Sequence, residues 1–182
     1  MHRSVTYSTD SSIVVSTLGA MSVSWHGKNL QGLGHGKQAA LLSYLVLQPG
    51  PHRREALAEL LWSSGDERGG RLNLRQALFN LHKLLQTQTG DSFITADRHV
   101  VGLVPNLHIQ ADVDTLMQLA WQADEAKGQV EHLEAVVALY RGPFLSTLEL
   151  SDCPEFMEWL TRKRELAHRR MLDVLLQLME VL

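Results

Sequence analysis

Between positions 71 and 83 the chain carries Arg71, Asn73, Arg75, Gln76, Asn80, His82 and Lys83, cationic and hydrogen-bonding side chains with no carboxylate among them. Their chemistry is recognition of a polar or anionic ligand rather than bond making. A single arginine on a helix is ordinarily just solvated, so the weight of this set depends on where the surrounding elements place it. Residue combinations that make or break bonds are not found elsewhere. Gly32-x-Gly34-x-Gly36-Lys37 has the look of a phosphate loop, but such a loop needs a glycine five residues before the Gly-Lys pair and Ser or Thr after it, where this chain has Gln31 and Gln38. The nine histidines are scattered over strands, loops and helices, so no metal site and no cofactor is expected. Cys153, the single cysteine, reads as a structural thiol, and it excludes an internal disulfide framework. Asp152, Glu155 and Glu158 read as charges complementing the N-terminus of the last helix. The chain is not expected to be an enzyme.

The elements around the polar set follow from pattern. From Ile13 to Leu30 the apolar residues are β-branched or alternate, with Gly19 and His26-Gly27-Lys28-Asn29 as turns, which predicts two or three short antiparallel strands. Lys37 to Gln48 reads as a buried helix stopped by Pro49-Gly50-Pro51, and Arg54 to Leu61 as a second. Leu74, Leu78, Leu81 and Leu85, spaced four, three and four, form the core stripe of a third helix over about 71–86. Its far side carries Gln76, Asn80 and Lys83, and one flank carries Arg71, Arg75 and His82. Gly69-Gly70 predicts a late or loose start to this helix. Residues 93–104 read as a hairpin about a polar tip. The order strands, three helices, hairpin is the layout of an α+β winged helix-turn-helix, whose third helix presents its outer face to a major groove.

Beyond Asn106 only helices are expected. Val113, Leu116, Met117 and Ala120 form one stripe, and Leu133, Val136, Val137 and Tyr140 a second. A long last helix from about Pro154 carries Phe156, Leu160, Ala167, Met171, Val174, Leu178 and Leu182. Its basic run Arg162-Lys163-Arg164 with His168-Arg169-Arg170 reads as a solvated face. The division is therefore a polar, disordered N-terminus at 1–11, a first domain at 12–105, and a partial, all-α, tetratricopeptide-like domain at 106–182. A stack of this kind normally needs three or more repeats to bury its core, so the sequence is read as an N-terminal piece of a longer protein.

Charge supports the division. The net charge of −3 over 182 residues hides +3 in residues 1–105 (10 Lys and Arg against 7 Asp and Glu) and −6 in residues 106–182 (7 against 13). A basic nucleic-acid module joined to an acidic protein-contacting module shows such an asymmetry, and two unrelated domains can show it by chance. The N-terminus lacks an apolar h-region, no stretch has the length of a membrane span, and a cytoplasmic location is expected.

Two stretches carry a family resemblance. Leu41-Leu42-Ser43-Tyr44-Leu45-Val46-Leu47-Gln48-Pro49-Gly50, Arg54-Glu55-Ala56-Leu57-Ala58-Glu59-Leu60-Leu61-Trp62 and Asn73-Leu74-Arg75-Gln76-Ala77-Leu78 resemble the N-terminal domain of the SARP (antibiotic regulatory protein) family of bacterial transcriptional activators. Ala111-Asp112-Val113 with Ala138-Leu139-Tyr140-Arg141-Gly142-Pro143-Phe144-Leu145 resembles the opening of the bacterial transcriptional activation domain that follows it in that family. The resemblance spans roughly 12–182. It implies an OmpR-type winged helix that binds double-stranded promoter DNA, often as a dimer, and recruits RNA polymerase. It maps groove reading to Arg71, Asn73, Arg75, Gln76, Asn80 and Lys83. Arg pairs with guanine and Asn or Gln with adenine, each bidentate contact discriminating by about 1–3 kcal/mol. Arg53 and Arg54 would grip phosphate, and Arg98 and His99 at the hairpin tip would reach the minor groove. The turn Trp62, Ser63, Ser64, Gly65, Asp66, Glu67 and Arg68 corresponds to the polymerase-contacting loop. Asn80 and His82 stand where the family commonly has Arg, which weakens phosphate anchoring and makes any share of His82 pH-dependent. The competing expectation is a protein-interaction or signal-relay scaffold that keeps the winged-helix shape without strong DNA binding.

Overall fold

Turns at Gly19 and at His26-Gly27, both with positive φ, cut the first apolar stretch into three antiparallel strands, β1 (Ser12–Ser16), β2 (Ser22–Trp25) and β3 (Lys28–Leu30). In the computed structural model, which describes residues 12–105, 107–125 and 130–181, alternate strand residues Ile13, Val15, Val23 and Leu30 are buried. The polar N-terminus at 1–11 lies outside the described residues. Helix α1 (Gly36–Leu47) buries Ala39, Ala40, Leu41, Leu42 and Leu45 and ends ahead of Pro49. After a short strand β4 (His52–Arg53), α2 (Arg54–Trp62) buries Leu57, Ala58 and Leu61.

Helix α3 (Glu67–Thr89) starts four residues before the expected Arg71, so Glu67 and Arg68 belong to its first turn and not to the preceding loop. The cause is a cap. The Asp66 carboxylate accepts the Gly69 N–H at 3.0 Å, which satisfies an otherwise orphaned donor and outweighs the poor helix propensity of Gly69-Gly70. Gly70 is buried against α2, where a Cβ would meet Trp62 O, Trp62 Cβ and Ala58 Cβ at 3.6, 3.7 and 3.8 Å, all ordinary contacts. Gly70→Ala is therefore expected to stabilise the fold by about 0.5–1 kcal/mol, read as a higher urea midpoint. Gly69→Ala should gain less, because its Cβ would lie 2.6 Å from Asp66 Oδ1 and displace the cap. The stripe Leu74, Leu78, Leu81 and Leu85 is buried, and Gly90 (φ 81°) closes the helix in the left-handed conformation.

Strands β5 (Ile94–Ala96) and β6 (Val100–Leu103) form a hairpin, and β4 pairs with the free side of β6, giving the order β4-β6-β5. Only helices were expected beyond Asn106, but β7 (His108–Ala111) pairs parallel with β1, so the first sheet has the order β3-β2-β1-β7 and spans the boundary placed at 105. His108 and Gln110 are exposed while Ile109 is half-buried and Ala111 buried, a period-two alternation too short to stand out in the sequence.

Three more helices follow among the described residues: α4 (Asp112–Glu125), α5 (Val130–Leu139) and α6 (Pro154–Val181). Val113, Leu116, Leu133, Val136, Phe156, Leu160, Ala167, Met171 and Val174 are buried; Met117, Val137, Tyr140 and Leu178 are partly so. The Ala120 and Leu182 side chains lie outside the described residues. One hydrophobic cluster runs from the first sheet through α1–α3 into these helices.

Polar contacts join the two halves. Asp112, at the start of α4, accepts from Thr17 N and Thr17 Oγ1 (both 2.6 Å) and Leu18 N (3.1 Å), and pairs with Arg141 at 2.8 Å. Cys153 is buried and donates Sγ–H to Leu61 O at 3.1 Å. Lys37 pairs with Asp152 at 2.7 Å, and Ser63 Oγ donates to Glu155 at 2.7 Å. Arg164 departs from the solvated reading of its basic run: it is half-buried and donates to the carbonyls of Phe144, Leu145 and Leu148 at 2.9, 2.9 and 3.2 Å, so its role is to hold the loop before α6.

Candidate nucleic-acid interface

The start of α2, the first three turns of α3 and the hairpin tip enclose a groove lined by Arg54, Glu55, Arg68, Arg71, Leu72, Leu74, Arg75, Arg98 and His99. Five arginines thus converge on one open surface with a single carboxylate in the lining. The hairpin is held here by its neighbours. Arg54 N donates to His99 O at 2.9 Å and Arg54 Nε to Asp97 O at 2.8 Å, so α2 carries the tip with it. Asp97 closes the tip by accepting the N–H groups of His99 (2.6 Å) and Val100 (2.8 Å).

Those two backbone donors, Val100 first, hold the Asp97 carboxyl below the usual aspartate range. A depressed folded-state pKa contributes stability above the unfolded value, about 3.9, that is lost as pH falls through the folded value. Acidification through that window is expected to speed hydrogen exchange at the His99 and Val100 amides before the helices respond.

The polar set from 71–83 is divided by the fold. Arg71 and Arg75 face the groove, with Arg71 also tied to Glu67 at 3.2 Å. Asn73, Gln76 and Asn80 line a separate shallow surface beside the start of α1, with Lys37 and Trp62, and Gln76 Nε2 donates to Asn80 Oδ1 at 2.9 Å. His82 is half-buried against the base of the hairpin, its Nδ1 3.5 Å from Ser92 Oγ. Lys83 is exposed. Arg53 is exposed and lies 3.8 Å from Glu55. Arg68, placed by sequence in the turn, joins the groove because α3 begins early. Leu72 and Phe79 fall outside the Leu stripe, and that displacement is the sequence signal that marks them as outward-facing.

The 62–66 turn adjoins the arginine groove, and the surface it borders shares Glu55 and Arg71 with it. With Glu55, Glu59, Asp66, Glu67 and Arg71 it borders a predominantly acidic depression. Ser64, Gly65 and Asp66 are exposed, Trp62 is half-buried, and Ser63 is engaged by Glu155.

No family model and no curated protein sequence matches the chain. The chain is similar to EmbR of Mycobacterium tuberculosis, solved in complex with a low-affinity phosphopeptide, with 25% identity and a TM-score of 0.65. The likeness covers 89% of this chain and 45% of EmbR, so the chain spans less than half of EmbR's length. It supports a SARP-like, mixed α+β fold reaching across both halves. No helix among the described residues is long and apolar enough to cross a membrane, and no group of His, Cys, Asp or Glu among them is arranged to hold a metal ion.

Proposed function

We propose that this chain is a DNA-binding transcriptional regulator of the winged-helix type, acting as a cytoplasmic activator without catalytic activity. The observation that carries the reading is the convergence of Arg54, Arg68, Arg71, Arg75 and Arg98 beside the exposed face of α3. A long helix with cations along one flank and a hairpin tip at its side fits a major groove and the phosphates bordering it. The likeness to EmbR supports a regulatory role. In this reading Arg54, Arg98 and His99 anchor phosphates, Arg71 and Arg75 reach base edges, and residues 62–67 are the surface offered to RNA polymerase. The helical half, whose contacts through Cys153, Asp152 and Glu155 reach α1 and the end of α2, relays a signal or dimerises.

The acidic depression beside the turn and EmbR's phosphopeptide complex favour a second reading, a protein-binding scaffold. A mobility-shift titration with promoter duplexes at several salt concentrations decides between them. Binding that weakens linearly in log–log against salt is the expected result, and no binding at low salt overturns the DNA reading.

A further inference from the structure

Helix α3 exposes two large apolar side chains, Leu72 and Phe79, at 57% and 61%. The core does not require them, since Leu74, Leu78, Leu81 and Leu85 already fill the buried stripe. They lie seven residues apart, about two turns, and so share a face. That face is the outer one: Leu72 borders the arginine groove between Arg71 and Arg75, and Phe79 continues the line one turn beyond Arg75. An apolar protein surface docking here would have to bury Arg68, Arg71 and Arg75 against it, which is costly for unpaired charge. A polyanion that itself offers apolar groups at matching spacing has no such conflict. Duplex DNA does, because the thymine C5-methyl is the apolar group displayed in the major groove.

We propose that Leu72 and Phe79 read thymine methyl groups at two positions about three base pairs apart. The spacing follows from about 10 Å of helix between the two residues and about 3.4 Å per base-pair step. The inference rests on the DNA reading and adds to it a base preference carried by side chains that make no hydrogen bond. The arginines between and beside them supply affinity and orientation, and the apolar pair supplies the discrimination against bases lacking a methyl.

The test begins with selection of preferred sites from a randomised duplex library by the wild-type chain. Each thymine in the selected site is then replaced by deoxyuridine, which removes only the methyl group. Two positions about three base pairs apart should each lose about fourfold in affinity. Leu72→Ser should abolish the thymine preference at one and Phe79→Ser at the other, with the salt slope unchanged because no phosphate contact is removed. If either variant fails to fold by circular dichroism, the deoxyuridine series on the wild type decides alone. Salt-dependent binding with no loss on any thymine-to-deoxyuridine exchange overturns this inference and leaves the DNA reading standing. So does discrimination that survives both substitutions, or a serine variant that changes only self-association, which would put a protein partner on this face. Absence of duplex binding at low salt overturns both readings.

Discussion

Arg75→Ala is expected to weaken binding to a cognate duplex by about five- to 150-fold, the range for loss of one good bidentate base contact. Arg75 stands in the groove among Arg54, Arg71 and Arg98, is exposed, and has no ion pair among the described residues, unlike Arg71, which Glu67 partly neutralises. Its guanidinium is therefore available without breaking an internal contact. Alanine is a good helix former at an exposed position, so the melting temperature should hold and the loss can be ascribed to the interface. Base reading and phosphate anchoring separate in the same experiment. Loss of a base contact flattens the preference at one position, whereas loss of a phosphate contact weakens all sequences alike and lowers the salt slope by about one. Arg71→Ala should cost less because a partner has to be released to make its contact. Unchanged affinity in the Arg75 variant would remove Arg75 from the base-reading contacts.

The largest effect on stability is expected at Asp112. Its carboxylate is 8% exposed and collects the Thr17 N–H and hydroxyl, the Leu18 N–H and the Arg141 guanidinium within 3.1 Å. Asp112→Ala leaves two buried backbone donors and a hydroxyl without an acceptor, and deprives Arg141 of its counter-charge. About 3 kcal/mol should be lost, lowering the melting temperature by roughly 6–12 °C. Asp112→Asn keeps one acceptor oxygen but turns an amide toward a donor, so it should fall between wild type and Ala. A melting temperature within 2 °C of wild type for the Ala variant would contradict this account of the hub.

The elements legible in the sequence are those whose periodicity runs over many residues. The four-three-four leucine spacing located α3, and the Pro49-Gly50-Pro51 stop located the end of α1, because both patterns reflect local geometry alone. What was not legible depended on partners far along the chain. Strand β7 is four residues long and owes its conformation to pairing with β1, and Arg164 looks like any solvated cation until the carbonyls of 144–148 fold onto it. The early start of α3 was written in Asp66, whose capping of Gly69 competed with the visible glycine signal. At the interface, residue type identified the cations but not their grouping. Asn73 and Asn80 were assigned with Arg71 and Arg75 as one reading face, whereas the helix rotates them onto the α1 side.

The parallel pairing of β1 with β7 also governs how the chain acquires its structure. Val14 and Val15 wait for Gln110 and Ala111, and Thr17 waits for Asp112, 95 residues away, so the first sheet closes only after the whole arginine-bearing region has been made. Closing so long a loop carries an entropic cost that the short-range helices do not share, and the pairing is expected to form late in folding. During synthesis the outer edge of β1 is an unpaired template until residue 112 emerges. A fragment cut at residue 105 would keep that edge open permanently and leave Thr17 and Leu18 without their acceptor. The smallest piece able to present the α3 groove as a soluble unit therefore has to extend through Asp112 at least, which makes the helical half's first residue part of the module that precedes it.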